Sequence, residues 1–143
     1  MKKKFTVVLT DDDTDEHFFF EEALSKLNRN IDLRTFPNGE KLLDWIEKTE
    51  SVPDALFLDI NMPLLDGFET LQMIRKDKRY DNLPVIIYST SNTLQDRNKA
   101  FSYGANLYLS KVIAIKDLSG NLNRIISAIE DKNLEVIKDF VAF

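Results

Sequence analysis

Ala55-Leu56-Phe57-Leu58 is an apolar run that ends directly in the carboxylate of Asp59. A short run that is apolar at every position is typical of a β-strand whose two faces are both covered. Further short runs rich in apolar residues lie at Phe5–Leu9, Val85–Tyr88 and Leu107–Leu109, and the run Ile31–Thr35 has Ile31 and Leu33 among polar residues. The chain is therefore predicted to form five short strands.

Helical patterns separate these runs. In the first pattern, one helix face with the spacing i, i+3, i+4, i+7 is formed by Phe20, Ala23, Leu24 and Leu27. Such patterns predict helices at Asp15–Leu27, Glu40–Lys48, Phe68–Lys76, Thr93–Tyr103 and Lys116–Asp131. Because parallel strands need crossover connections, which are right-handed, the alternation predicts an α/β fold. Its simplest form is a flavodoxin-like, doubly wound five-stranded parallel sheet in the order 2-1-3-4-5, with five helices.

The composition is that of one globular domain. The chain has 143 residues, of which 43% are apolar and 10 are Phe, and this suffices for a hydrophobic core. It contains no Cys, which excludes disulfides, thiolate metal sites and cysteine nucleophiles. A net charge of -5 without a clustered basic face argues against DNA binding. No apolar stretch approaches the roughly 18 residues that span a bilayer, so we predict a soluble, cytoplasmic protein.

Polar side chains follow four of the predicted strands. Asp11–Asp13 follow strand 1, Asp59 follows strand 3, Ser89 follows strand 4, and Lys111 comes shortly after strand 5. In doubly wound sheets, ligands bind where the carboxyl ends of strands 1 and 3 meet. Clustered carboxylates require a cation, and an all-oxygen site with open positions suits Mg²⁺. Because Lys111 and the Ser89 hydroxyl are suited to phosphoryl oxygens, the set predicts phosphoryl transfer to a carboxylate.

Four blocks of sequence make the chain similar to a known family. It resembles the receiver domains of bacterial two-component response regulators, most of all the single-domain, chemotaxis-regulator-like members, over about Phe5 to Asp131. The pattern Asp-x-x-Met-Pro-x-x-Asp-Gly is highly specific for that family. The blocks lie at Val7–Asp13, Leu58–Gly67, Pro84–Thr90 and Gly104–Lys111.

The resemblance implies a role for each acid. Asp59 corresponds to the phosphoacceptor, Asp12 to a direct Mg²⁺ ligand, and Asp11 to an acid that binds mainly through water. The backbone carbonyl of Asn61 would complete the protein ligands. The family implies a signalling domain rather than an enzyme, with only Mg²⁺-dependent self-phosphorylation and self-dephosphorylation.

Three further residues match those that respond to phosphorylation in the family. Ser89 corresponds to the switch hydroxyl, Lys111 to the phosphate-binding lysine, and Tyr108 to an aromatic residue whose rotamer reports activation. The implied phosphodonor is a phosphohistidine on a sensor histidine kinase or a histidine phosphotransfer protein. The implied output is a changed surface of helix 4, strand 5 and helix 5, which contacts a downstream protein or a second copy of the chain.

Val112 departs from the family pattern, which usually has a proline after a cis peptide bond at this position. A cis bond before any other residue costs about 3–4 kcal/mol, so we expect a trans Lys111–Val112 bond and a different loop path. A different loop path would change the direction in which the Lys111 side chain points. Ser91, two residues past Ser89, is small; in the family, this position and that of Asn61 influence hydrolysis of the acyl phosphate.

Other polar residues have local structural interpretations. Asp13, with Glu16 three residues further on, is predicted to be an N-cap with its capping-box partner. His17 is the only histidine and is predicted to be a surface or partly packed residue. Asp66-Gly67 is predicted to form a turn.

We divide the chain into a receiver domain at 1–132 and a C-terminal tail at 133–143. Apolar residues with helical spacing in the tail are Leu134, Ile137, Phe140 and Val141. The tail is predicted to extend the last helix, and contact with a second copy or a partner is the alternative.

Two other functions are left open by the sequence. A haloacid-dehalogenase-type phosphatase uses the pattern Asp-x-Asp-x-Thr/Val; Asp11-Asp12-Asp13-Thr14-Asp15 supplies the two acids but has Asp15 where Thr or Val is required. A degenerate receiver that acts as an unphosphorylated scaffold is supported only by Val112. Because the receiver pattern covers nearly the whole chain, we predict a stand-alone receiver.

Overall fold

The computed structural model describes residues 4–135 and confirms the predicted fold. Five parallel strands form one sheet in the order β2-β1-β3-β4-β5. The strands are β1 (Phe5–Thr10), β2 (Ile31–Phe36), β3 (Ala55–Leu58), β4 (Val85–Ser89) and β5 (Leu107–Ser110). The helices are α1 (Thr14–Ser25), α2 (Gly39–Lys48), α3 (Gly67–Arg75), α4 (Leu94–Ser102) and α5 (Ile115–Glu130), with a short 3₁₀ helix at Lys78–Tyr80 that the sequence did not predict. None of the described helices is long and apolar enough to cross a membrane.

Both faces of the sheet are covered, which explains why every strand except β2 is apolar almost throughout. On one face, Val7 and Leu9 of β1 pack with apolar residues of α1 and α5. On the other face, Val8 packs with residues of α2, α3 and α4. The strands β1, β3, β4 and β5 therefore contribute alternate side chains to two separate cores, as expected for parallel strands between two helical layers, whereas no residue of the edge strand β2 is fully buried.

Hydrogen bonds between strands bring the polar residues to one edge of the sheet. The amide of Asp59 donates to the carbonyl of Thr10, at the end of β1, over 3.0 Å. The amide of Lys111 donates to the carbonyl of Ser89, at the end of β4, over 2.9 Å. Asp11, Asp59 and Lys111, which follow β1, β3 and β5, and Ser89, which ends β4, therefore share the carboxyl edge of the sheet, as predicted.

The segment between β3 and α3 is tight because Gly67 has no side chain. A Cβ atom on Gly67 would lie 2.2 Å from the carbonyl oxygen of Asp59. Asp66 caps α3: its side chain accepts a hydrogen bond from the amide of Glu69, whose side chain accepts one from the amide of Asp66. The predicted Asp66-Gly67 turn is thus wrong, since the pair begins α3 and packs this helix against the backbone of Asp59.

Leu64, in the same segment, adopts a backbone conformation that is unfavourable for leucine. Its φ angle is 69°, and the residue is 79% exposed, so little packing offsets the steric cost. Leu64→Gly should therefore raise the free energy of unfolding by about 1 kcal/mol in urea unfolding. Leu94→Gly is the matched control, because Leu94 is 73% exposed but begins α4, where glycine should destabilise. A loss of stability in Leu64→Gly would contradict the argument.

Helix α5 ends in a turn of left-handed conformation. Lys132 has a φ angle of 55°, and the amides of Lys132 and Asn133 donate to carbonyls of the last helical turn over 3.1 Å and 2.8 Å. These bonds form the Schellman pattern that closes a helix. This turn separates α5 from residues 133–135, and the rest of the predicted tail, residues 136–143, lies outside the described range, so the extension of the last helix by the tail stays a prediction.

Candidate functional site

Three carboxylates meet where β1 and β3 end. One oxygen from each of Asp11, Asp12 and Asp59 lies within 4.8 Å of the others. Asp11 is fully buried and Asp59 is 5% exposed, whereas Asp12 lies at the surface. Oxygen ligands that leave one side open to solvent match the coordination of Mg²⁺, which keeps several of its waters. The structure thus places the three predicted acids in one potential metal site.

Asp11 is held from two directions. One of its carboxylate oxygens accepts a hydrogen bond from the amide of Asp13 over 3.0 Å, and the other accepts one from Lys111 Nζ over 2.8 Å. His17 is half-buried, as predicted, and its Nε2 atom lies 2.7 Å from the backbone carbonyl oxygen of Asp11. Contacts from α1 and from the loop after β5 therefore fix this acid within the cluster.

The surroundings of Asp59 disfavour its ionised form. Burial, and after it the negative charge of Asp11, raises the pKa of Asp59 from 3.8 to about 6. The charge of Lys111 and the backbone amide of Asn61 act in the opposite direction without outweighing these effects. A cation bound beside Asp59 would therefore favour the carboxylate. The role of the Asn61 carbonyl as a metal ligand stays a prediction.

The ammonium group of Lys111 lies between two acids. Its Nζ atom is 2.8 Å from Asp11 Oδ2 and 3.5 Å from Asp59 Oδ2, and the side chain is 10% exposed. Burial disfavours the charge, but the hydrogen bond to Asp11 and the charges of Asp59 and Asp11 prevail and raise the pKa of Lys111. No peptide bond within residues 4–135 is cis, so the predicted trans Lys111–Val112 bond is confirmed. The lysine reaches the acids without a proline after it.

Ser89 and Tyr108 both contact Ser91, in the segment between β4 and α4. The Ser89 hydroxyl is buried and accepts a hydrogen bond from the amide of Ser91 over 3.2 Å. Tyr108 is also buried, and its hydroxyl donates to the carbonyl of Ser91 over 2.8 Å. The Ser91 hydroxyl donates to the carboxylate of Asp96 in α4. The two predicted switch residues are thus linked to each other and to α4 through Ser91.

Tyr88 and Glu16 belong to the site's surroundings, but the sequence reasoning missed both. Asp13 is the N-cap of α1, as predicted, yet its side chain accepts from the amide of Asp15. Glu16 is not its capping-box partner, because the amide of Asp13 donates to Asp11 instead; the Glu16 carboxylate accepts a hydrogen bond from the Tyr88 hydroxyl over 3.2 Å. Lys111 Nζ lies 5.4 Å from the centre of the Tyr88 ring. A tyrosine next to Ser89 in an otherwise apolar strand was the available signal, since a buried hydroxyl needs a partner.

Known proteins share this sequence pattern and fold. The family model of the response regulator receiver domain matches residues 7–123. The probable methanogenesis regulatory protein FilR2 of Methanothrix harundinacea (strain 6Ac) is 27% identical over 125 residues, which are 85% of this chain and 81% of that protein. The structure of the phosphorylated cyanobacterial phytochrome response regulator RcpA superimposes with a TM-score of 0.81 at 23% identity, covering 91% of this chain and 96% of that chain. The Mn²⁺-bound form of the response regulator Rcp1 gives a TM-score of 0.75 at 23% identity, with coverages of 86% and 92%.

Other curated relatives are longer than this chain. This chain covers only 12% to 30% of the length of four relatives that share 29% to 36% identity with it. The similarity therefore concerns one part of each of those proteins.

Proposed function

Because the chain belongs to the response regulator receiver domain family, we propose that it is a phosphorylation switch of a two-component system, with Asp59 as the residue that accepts the phosphoryl group. The observation that carries this proposal is the meeting of Asp11, Asp12 and Asp59 within 4.8 Å, with the ammonium of Lys111 beside them. A nucleophile, a potential metal site and a phosphate-binding cation are the components that phosphoryl transfer to a carboxylate requires.

Mg²⁺ fits the chemistry of this donor set. The cluster contains only oxygen donors, and three acids beside one lysine leave an excess of negative charge. Asp12, Asp59 and the backbone carbonyl of Asn61 would bind the ion directly, and Asp11 mainly through water. When bound, the ion neutralises charge on the phosphoryl oxygens during transfer. The Mn²⁺-bound form of Rcp1 supports the proposal by analogy.

In the transfer step, Asp59 is the nucleophile and Lys111 supplies positive charge. A carboxylate oxygen of Asp59 forms a bond to phosphorus while the phosphorus–nitrogen bond of the donor phosphohistidine breaks, and the electron pair leaves with the imidazole. Lys111, already 3.5 Å from Asp59 Oδ2, pairs with a phosphoryl oxygen as a point charge. The proposed donor is a sensor histidine kinase or a histidine phosphotransfer protein. Hydrolysis of the acyl phosphate returns Asp59 to its starting state. Self-phosphorylation and self-dephosphorylation of Asp59 are the only reactions proposed for this chain, whose family is one of signalling domains.

Ser89 would transmit the modification to α4 and β5. Its hydroxyl now accepts from the amide of Ser91, and movement of the hydroxyl towards a phosphoryl oxygen, to which it would donate, would strain this hydrogen bond. Ser91 also holds the Tyr108 hydroxyl and contacts Asp96, so its displacement would loosen β5 and α4 together. Phosphorylation thereby shifts the population between two packings of this region.

The proposed partners of this chain are other proteins. The changed surface of α4, β5 and α5 is proposed to contact a downstream protein or a second copy of the chain, and the tail at 133–143 is the other candidate for a homodimer contact. Direct contact with DNA is not proposed, because the chain has a net charge of -5. Cytoplasmic location and a stand-alone role stay predictions of the sequence.

Incubation with acetyl phosphate and Mg²⁺, followed by measurement of intact mass, tests the proposal. The wild-type protein should gain one phosphoryl group, whereas Asp59→Asn, or the wild-type protein with EDTA, should gain none. Asp13→Asn is the matched control and should still be modified, because Asp13 caps α1 and asparagine caps helices equally well. No adduct on the wild-type protein would favour the scaffold, and repeated turnover of a phosphate ester would favour the phosphatase. No observation in residues 4–135 favours either of these functions.

A further inference from the structure

Tyr88 occupies a position that the proposed chemistry does not yet use. It lies in β4 next to Ser89, is fully buried, and faces the core formed with α1 and α5. Its ring is the aromatic surface beneath the ammonium group of Lys111, with 5.4 Å between Nζ and the ring centre. The electron-rich face of an aromatic ring attracts a cation at this distance, and the attraction is stronger when both groups are shielded from water.

The Tyr88 ring is held in place from two sides. Its hydroxyl donates a hydrogen bond to the carboxylate of Glu16 in α1 over 3.2 Å. The ring of Phe20, one turn further along α1, packs edge-on against it with 5.6 Å between the ring centres. A buried aromatic ring with a bonded hydroxyl and a packed edge has little freedom to rotate. The surface that it offers to Lys111 is therefore fixed by α1.

Lys111 needs a third contact because its ammonium group lies at unequal distances from the two acids. Its Nζ atom lies closer to Asp11 than to Asp59, at 2.8 Å against 3.5 Å. The next residue is Val112, joined by a trans peptide bond, and no proline ring restricts the loop. Without a third contact, the flexible lysine would pair with the nearer acid or turn towards solvent. The Tyr88 ring is the third contact of the ammonium group, beside the two acids.

We propose that Tyr88 is a positioning residue for Lys111, whose ring holds the ammonium group at the acid cluster while Glu16 and Phe20 hold the ring. This inference rests on the proposed function, in which Lys111 pairs with a phosphoryl oxygen. Tyr88 touches neither the phosphoryl group nor the metal in this account. Its whole effect on phosphorylation passes through the lysine.

A double-mutant cycle tests whether Tyr88 acts through Lys111. Tyr88→Leu removes the ring and should slow phosphorylation by acetyl phosphate roughly tenfold. Tyr88→Phe keeps the ring and should slow it no more than about twofold. In the Lys111→Met background, Tyr88→Leu should cause no further loss, because the group that it positions is gone. Equal fold losses in both backgrounds would overturn the proposal and assign Tyr88 a purely structural role.

A second measurement does not depend on phosphorylation. In the metal-free protein, acetylation of the Lys111 amine by an N-hydroxysuccinimide ester, followed by peptide mass analysis, should be several times faster in Tyr88→Leu than in the wild type. Lys99, whose Nζ atom lies 4.7 Å from the centre of the Phe68 ring, should react at an unchanged rate. If Asp59 is never phosphorylated, the proposed function fails, and this measurement still decides the role of Tyr88.

Tyr80→Phe is the matched control for both experiments. Tyr80 is also buried, and its hydroxyl donates to the carbonyl of Ile46 in the other core. This variant loses a buried hydrogen bond without touching Lys111, so labelling of Lys111 should stay at the wild-type rate. If Tyr80→Phe raises the labelling as much as Tyr88→Leu does, general loosening is the cause and the proposal is wrong. If Tyr88→Leu does not unfold cooperatively in urea, Tyr88→Met, of similar volume and without a ring, replaces it.

Discussion

Asp59→Asn should stabilise the metal-free protein by roughly 2 kcal/mol at pH 8. Burial and the charge of Asp11 disfavour the ionised Asp59, whose pKa is raised from 3.8 to about 6, and asparagine removes the charge while keeping the shape. A pKa difference of this size corresponds to about 3 kcal/mol, and partial screening by solvent lowers the expected effect. The proposed phosphoacceptor is therefore expected to destabilise the fold when no metal is bound.

The stabilisation by Asp59→Asn should increase as the pH rises. Because the folded protein binds the Asp59 proton more tightly than the unfolded chain does, the wild type should lose stability as the pH rises from about 4 through 6. The difference between wild type and Asp59→Asn should therefore be near zero at pH 4 and reach its full size above pH 7.

Urea unfolding in EDTA at pH 4, 6 and 8 measures both effects. Asp44→Asn, a change at an exposed acid of α2, is the control and should differ from the wild type by less than about 0.5 kcal/mol at each pH. Added Mg²⁺ should stabilise the wild type and have a much smaller effect on Asp59→Asn. If Asp59→Asn is less stable than the wild type at pH 8, the electrostatic account of the site is wrong.

Lys111→Met should slow phosphorylation by acetyl phosphate about 100-fold while leaving the site of modification unchanged. The lysine is the positive side chain that lies against both Asp11 and Asp59, and one preorganised partner of a developing negative charge typically contributes this much to a rate. Time courses of intact mass at saturating Mg²⁺ measure the rate. Lys99→Met is the matched control, since Lys99 also contacts an aromatic ring but should leave the rate within about twofold. A rate for Lys111→Met within threefold of the wild type would remove the lysine from the mechanism.

The same variant should be less stable without metal. Asp11 is fully buried and would lose the cation that lies 2.8 Å from it, which should lower the free energy of unfolding by about 3 kcal/mol at pH 8. Mg²⁺ should restore more stability to Lys111→Met than it adds to the wild type, because the ion then supplies the missing positive charge. Urea unfolding with and without Mg²⁺ tests this, and an equal response in both proteins would contradict it.

The agreement between sequence and structure is closest where the determinants are local. All five strands and five helices lie where the apolar patterns predict them, with ends that differ by no more than two residues. The tight segment after β3 is an exception, because the capping by Asp66 and the close approach of Gly67 to Asp59 depend on where α3 packs. The end of α5 is another, since Lys132 adopts a conformation usually reserved for glycine or asparagine.

The sequence by itself determined the alternation of strands and helices and the set of polar residues at the carboxyl edge, because hydrophobic periodicity and strand ends are properties of neighbouring residues. Only the tertiary structure decided which groups these residues contact. Glu16 could bond the backbone of its own helix or a side chain from β4, and the packing of α1 on the sheet brought the Tyr88 hydroxyl within 3.2 Å. Packing also set the unequal distances from Lys111 to its two acids, since side chains distant in sequence interact only after the elements that carry them have packed.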